Sequence, residues 1–208
     1  MRKWISLGLA IAATAMATTS VAAQQASPSW NGFYAGLNAG GMFGNTSGSF
    51  AGPGGTGGFS SAGSGFVGGA QAGYNYLLGP VVLGGEIDFQ GSTFAAGVSG
   101  GGFGPFNATE RTPWFSTMRA RVGYPVGTVM PYLTGGAVWG QRSIDGPISA
   151  SANYWTWTAG GGIEGLVTER WSMKLEYLYM GTPSTSLLPG NNETANDNLI
   201  RVGVNYHF

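Results

Sequence analysis

The chain has 208 residues with nine basic and nine acidic side chains, so its net charge is zero and nothing electrostatic points to a nucleic-acid partner. Cysteine is absent, which excludes disulfides, thiol chemistry and a lipid-modified amino-terminal cysteine, and removes most zinc sites. Glycine is abundant at 39 residues and charge is sparse at 9%, but aromatics reach 13% and no G-X-Y period appears, so neither a solvated linker nor a collagen-like chain fits.

Residues 1–23 read as an export signal. Arg2 and Lys3 supply the positive start, and the apolar stretch Trp4 to Ala17 is too short and too rich in small residues to be a comfortable spanning helix. Val21-Ala22-Ala23 fits the small-residue cleavage rule. Cleavage after Ala23 leaves 24–208 as a single domain. Export without cysteine suits the periplasmic or outer-membrane side of a Gram-negative cell.

No later segment is apolar enough for a spanning helix. Eight segments of period two follow instead, each of about ten residues, the length a tilted strand needs to cross a bilayer. The first, Phe33 to Phe43, sets Phe33, Ala35, Leu37 and Phe43 against Tyr34, Gly36 and Asn38. The second, Phe66 to Tyr76, sets Ala70, Ala72, Tyr74 and Tyr76 against Val67, Gln71 and Asn75. The third, Val81 to Gly91, sets Leu83, Ile87 and Phe89 against Glu86, Asp88 and Gln90. The fourth, Trp114 to Tyr124, sets Trp114, Met118 and Val122 against Thr117, Arg119 and Arg121. In the fifth, Met130 to Gln141, both faces are apolar or glycine; Leu133, Ala137 and Trp139 are placed outward. The sixth, Trp155 to Val167, opposes Trp155, Trp157 and Ile163 to Thr156, Thr158 and Glu164. The seventh, Trp171 to Met180, opposes Trp171, Met173, Leu175, Tyr177 and Tyr179 to Ser172, Lys174 and Glu176. The eighth, Asn198 to Phe208, opposes Ile200, Val202, Val204, Tyr206 and Phe208 to Leu199, Arg201, Gly203, Asn205 and His207.

The connections alternate. Short ones fall at Leu77 to Pro80, Pro125 to Thr128 and Thr168 to Arg170; long ones at Gly44 to Ser64, Ser92 to Pro113, Arg142 to Asn153 and Gly181 to Asp197. Tight turns on one side and long loops on the other, with greasy and charged faces on every segment, predict an all-β fold: an eight-stranded antiparallel up-and-down transmembrane β-barrel. Both termini then lie on the periplasmic side. Tyr76, Tyr124, Trp171, Tyr206 and Phe208 gather near the short turns, and Phe89, Trp114, Trp139, Trp155 and Tyr179 near the long loops, as two membrane interfaces demand. The first long loop has no periodicity. Phe50, Phe59, Phe94, Phe103 and Phe106 are expected as loop aromatics, available to a ligand, lipopolysaccharide or a host surface, or packed on one another.

The inward charges are Glu86, Asp88, Arg119, Arg121, Glu164, Lys174, Glu176 and Arg201, four acids and four bases. Buried charges persist when paired, so a balanced set in a barrel barely wide enough for its own side chains predicts a salt-bridge plug rather than a gated pore. With the turn centred on Glu169, Glu164 lies opposite Lys174. Gly36, Gly40, Gly69, Gly73, Gly160, Gly162 and Gly203 point inward and relieve crowding.

No catalytic, metal or cofactor constellation is expected. Gly63-Ser-Gly65-Phe-Val-Gly68 matches a dinucleotide fingerprint but opens a strand, not a helix. The sole histidine, His207, sits at the periplasmic rim with no serine evident beside it.

The stretches WNGFYAGLNAGG from Trp30, RARVGYPVGTVMPYLTGGAVWG from Arg119, TWTAGGGIEGLVTERWSMKLEYLYM from Thr156 and the closing NLIRVGVNYHF resemble the small alphaproteobacterial outer-membrane β-barrels. That family is OmpA-like in its barrel and is often labelled porin family or outer-membrane immunogenic protein. The resemblance spans Trp30 to Phe208. It implies a cell outer-membrane location, a barrel that supports envelope integrity, and exposure to immune recognition; some relatives are associated with haem binding or porin-like permeability. Phe208 resembles the terminal aromatic read by the barrel-assembly machinery. The expected function is therefore structural and non-enzymatic, with outer-membrane lipid, lipopolysaccharide and the assembly machinery as partners. The alternatives are a narrow channel for small solutes and a loop-based surface receptor or adhesin.

Overall fold

The computed structural model describes residues 30–52, 55–101, 106–145, 149–182 and 192–208; the export-signal reading of residues 1–23 lies outside them. Eight strands account for nearly all of it: β1 (Gly32–Gly52), β2 (Gly55–Leu78), β3 (Val81–Gly101), β4 (Phe106–Gly123), β5 (Val129–Asp145), β6 (Ala150–Leu166), β7 (Trp171–Met180) and β8 (Asn192–His207). Each pairs antiparallel with its chain neighbours, and β1 pairs with β8, so the sheet closes into a barrel with no free edge along the shared length. Closure satisfies the backbone hydrogen bonds without water, the condition for crossing hydrocarbon.

Alternation decides which face is which. Leu37, Phe66, Met118 and Leu133 are each between 68% and 79% exposed, while the residues between them in the ladder are buried. Exposed large apolar side chains on every strand and buried ionised ones inside mark the outer wall as the surface that meets lipid. The two aromatic belts face outward at opposite ends. The tight turn at Gly79-Pro80 and the turn around Gly127 each use a glycine at positive φ, +60° and +63°, a conformation L side chains rarely adopt.

The long connections differ from expectation. Gly44 to Ser64 is not an irregular loop: β1 and β2 stay in register until Gly52 faces Gly55. β3 and β4 also run well past the outer belt, to Gly101 and from Phe106. Thr46 and Ser61 still turn inward while Asn45, Ser47 and Ser60 turn out, but both sets are polar, so hydropathy carries no period there. Phe94, expected on a loop, points into the barrel and is 4% exposed. The side chains of Phe50, Phe59, Phe103 and Phe106 lie outside the described residues. Register shifts between Gly91 and Phe94 on β3, and between Arg111 and Trp114 on β4, mark bulges. Pro113, which has no N–H to give to a ladder, sits at the second, and the buried positions of β4 change from odd (Phe115, Thr117, Arg119) to even (Thr112, Glu110) across it.

The lumen is stratified. Trp30, Val82 and Met130 form an apolar floor at the short-turn end of the barrel, backed by Leu77 and Leu166. Above it lies the charged layer. Above that, Met42, Phe94, Phe115, Val138, Leu178, Met180 and Leu199 pack into an apolar layer. Near the long-hairpin end Arg142 Nε binds Glu110 Oε1 at 2.9 Å, with Asp197 also buried.

Candidate functional site

The charged layer is built by β3, β4, β6, β7 and β8, each placing alternate residues on the barrel axis. All eight predicted lumen charges stand there, with side chains no more than 2% exposed. Glu86 is the hub. It accepts from Lys174 Nζ at 2.8 and 2.9 Å, from Arg119, and from the Tyr34 hydroxyl at 2.8 Å. Asp88 Oδ2 accepts from Thr117 at 2.8 Å and from Arg119 and Arg201, both at 2.9 Å. Glu176 accepts from Arg119 at 3.0 Å, from Arg201 Nε at 2.8 Å and from the Tyr132 hydroxyl at 2.8 Å.

Glu164 belongs to a second set nearer the floor. Arg121 Nη2 donates to it at 2.5 Å, Ser172 Oγ at 2.6 Å and Asn205 Nδ2 at 2.7 Å. Arg121 also lies 4.5 Å from the Tyr132 ring centroid and 5.4 Å from that of Tyr34, and donates to the Tyr34 hydroxyl at 3.1 Å. Tyr34 thus joins the two sets. Each acid meets at least one guanidinium or ammonium, the condition under which buried ions persist, while Asp88 Oδ1, Arg121 Nε and Arg201 Nη1 are buried without a hydrogen-bond partner.

The register places Glu164 opposite Lys174, as the turn arithmetic expects, but the two do not form an ion pair. In a narrow cylinder inward side chains converge on the axis, so Lys174 reaches Glu86 across the lumen and Glu164 reaches Arg121. Cross-strand neighbours in sequence arithmetic are therefore poor guides to partners inside a barrel.

Glycine makes this convergence possible. A Cβ on Gly162 would lie 2.8 Å from the Tyr132 hydroxyl, and one on Gly73 would strike that of Tyr34, so both positions must stay bare for those phenols to reach the carboxylates.

His207 is a correction. Ser172 Oγ lies 3.0 Å from its Nε2, and Glu164 Oε1 lies 3.6 Å from the same nitrogen. Serine, histidine and acid thus meet, but not in the order of a hydrolase. The acid accepts from the serine itself, while Nδ1, where an orienting acid belongs, has no hydrogen-bond partner. Trp30 lies edge-on to the imidazole at 6.1 Å and Tyr34 beside it at 5.7 Å, and Ser172 is fully buried, so no substrate carbonyl has space to approach.

Sequence reading missed two features of the lumen. The apolar layer is hard to see because its members are scattered one or two per strand among polar inward neighbours; the parity of Val67, Phe115, Leu178 and Leu199 with Gln71, Thr117, Lys174 and Arg201 is what signals it. Glu110, Arg142 and Asp197 had been assigned to loops. Arg142 and Asp197 continue the inward parity of Val138 and Leu199, whereas the bulge hides Glu110. Phe208 ends the chain beside β1, its amide donating to the Phe33 carbonyl at 3.0 Å and its ring 5.1 Å from Tyr206.

Residues 10–208 match the family described as outer membrane protein beta-barrel domain. The 31 kDa outer-membrane immunogenic protein of Brucella melitensis is 35% identical over 233 residues, covering 98% of this chain and 97% of that protein. The 25 kDa outer-membrane immunogenic protein of Brucella canis is 32% identical over 146 residues, 67% of this chain and 64% of the relative. Among solved structures, Neisserial surface protein A superposes with a TM-score of 0.51 at 15% identity, covering 85% of this chain and 97% of that one. OprG from Pseudomonas aeruginosa gives 0.50 at 15% identity, covering 86% and 97%. These two likenesses concern the fold alone.

Proposed function

The chain belongs to the outer membrane protein beta-barrel domain family, and from that membership we propose that it is a sealed, non-enzymatic structural barrel that supports the envelope and presents its long hairpins at the cell surface. One observation supports the reading most: buried side chains occupy the lumen at successive levels along the described strands. An apolar floor, an ion-paired layer and an apolar layer lie in series across the membrane. An ion entering from the short-turn end meets the apolar floor first, and one entering from the other end passes Arg142, Glu110 and Asp197 and then meets the apolar layer; shedding water at either is costly. The hairpins fit surface presentation, because β1 to β4 run 18 to 24 residues whereas β7, with 10, is near the minimum for crossing. The relatives' names, which call them immunogenic, point the same way. The terminal Phe208, outward at the periplasmic rim, suits recognition by the assembly machinery.

The test is reconstitution into planar bilayers and liposomes. The sealed barrel gives no stable conductance steps and no swelling in small sugars, while still showing a gel mobility that changes on boiling. Reproducible small steps from the unaltered protein would replace this reading with the narrow channel.

A further inference from the structure

The outward aromatics of the extracellular belt are not evenly distributed. On β3 to β6 they form one unbroken row. Phe89 stacks on Trp114 at 5.8 Å and 19°, Trp114 meets Trp139 edge-on at 5.1 Å and 83°, and Trp139 stacks on Trp155 at 6.0 Å and 21°. Phe89 and Trp155 are each 57% exposed, so the row is a surface feature and not core. Among the described residues the other outward ring contacts cross at most two adjacent strands, as at Phe33–Tyr74 and Trp171–Tyr206–Phe208.

A belt needs rings at the interface but does not need them in contact. What lies above the row gives it a chemistry. Gln141 and Asn153 face each other in the ladder one pleat beyond Trp139 and Trp155, and neither is buried. On β4, Arg111 points outward, more than half exposed, with Nε donating to Asp145 at 3.1 Å. That bond uses Nε and leaves the two Nη groups for another acceptor. Flat ring faces attract the polarised C–H bonds of a sugar ring through their quadrupole, amides bond sugar hydroxyls, and an arginine fork fits a phosphate. The acyclic headgroups of phosphatidylglycerol and phosphatidylethanolamine have no ring to lay on this row.

We propose that the β3–β6 face binds the phosphorylated amino-sugar headgroup of an outer-leaflet glycolipid. The sugar rings lie along Trp114, Trp139 and Trp155, Gln141 and Asn153 bond their hydroxyls, and Arg111 takes a phosphate. The face is continuous with the lipid-facing wall below it, so the acyl chains of the same molecule run down the barrel without leaving the bilayer. This reading goes beyond the sealed scaffold and does not depend on whether the lumen conducts.

The test uses the folded full chain in nonionic detergent, with purified lipid A as probe and native mass spectrometry as readout. A one-to-one lipid A adduct is expected that survives excess phosphatidylglycerol. In the Trp114→Leu/Trp139→Leu variant, which keeps the wall apolar, binding falls about tenfold or more, a loss of roughly 1.4 kcal/mol. Trp171→Leu at the periplasmic belt leaves it unchanged. Arg111→Gln weakens binding of lipid A but not of its dephosphorylated form. Equal displacement by phosphatidylglycerol, or undiminished binding by the double variant, overturns the proposal. If the double variant fails to fold, Trp139→Leu alone and the wild-type competition decide it.

Discussion

Lys174 and Glu164 face each other across the β6–β7 ladder, yet Lys174 gives its ammonium to Glu86 on β3, 2.8 Å away on the far side of the lumen. The ion pair therefore ties opposite walls of the cylinder together instead of two adjacent strands that the backbone already joins. Arg201 does the same, linking β8 to Asp88 on β3 at 2.9 Å. The charged layer acts as cross-bracing, and its loss should be felt by the whole barrel.

Lys174→Ala is accordingly expected to destabilise the folded barrel by about 3–5 kcal/mol, the cost of leaving the buried layer of four acids and four bases one positive charge short. Urea unfolding in detergent, followed by gel mobility, measures it. A double-mutant cycle locates the partner: Lys174→Met with Glu86→Gln should show coupling within the range of about 0.5–3 kcal/mol, and Lys174→Met with Glu164→Gln clearly less. Equal coupling in both cycles would mean that the ladder neighbour, not the residue across the lumen, holds the lysine.

Stratification separates stability from permeability. Lys174→Ala should loosen the barrel without opening it, because Phe115, Leu178 and Leu199 still close the lumen above the charges. Adding Leu178→Ala, whose own cost is about 2–5 kcal/mol, breaches the apolar layer as well. Conductance in planar bilayers is then expected only from the combined variant. Steps from Lys174→Ala alone would show that the ionic layer is the whole seal.

The eight strands, their inward and outward faces and the two belts were legible because hydrocarbon outside and ions inside impose opposite chemistry at successive residues, as at Lys174 and Leu175. Where that contrast ends, so does legibility. Beyond the outer belt both faces are polar, and the Gly44 to Ser64 stretch reads as loop although it is strand. Within the lumen, identity of the charged residues was readable but pairing was not, because partners lie across the axis and depend on tilt and stagger. The seam of Met42, Phe115 and Leu178 was hidden for the same reason: three separate strands contribute it, one residue each.

Inward glycines provide a separate check. A Cβ on Gly160 would strike the Tyr177 carbonyl and come within 2.9 Å of Leu178, so neither backbone nor layer can yield freely. Gly160→Ala should cost about 1–3 kcal/mol, the usual penalty of overpacking. Gly85 faces outward with open space around it, and Gly85→Ala should fall within about 0.5 kcal/mol of the parent. Unfolding midpoints of the two variants, measured side by side, test the assignment of faces at both positions. A costly Gly85→Ala with a silent Gly160→Ala would invert it.

Among the described residues the β1–β8 ladder ends at Ser49↔Asn192 and the β2–β3 ladder at Gly58↔Gly101, and the β1–β2 pairs from Phe50↔Gly57 to Gly52↔Gly55 lie beyond both. Ser49 and Gly58 stand opposite, the spacing a two-residue turn can close. Replacing residues 50–57 with Asn-Gly should thus keep the heat-modifiable gel mobility and leave stability within about 0.5 kcal/mol, since every pairing with β8 and β3 survives. The same variant separates scaffold from receptor. If a host surface or ligand is bound through this tip, binding disappears while the barrel remains folded; if the trimmed protein fails to fold, the tip is part of the barrel's own stability and the extension is not an appendage.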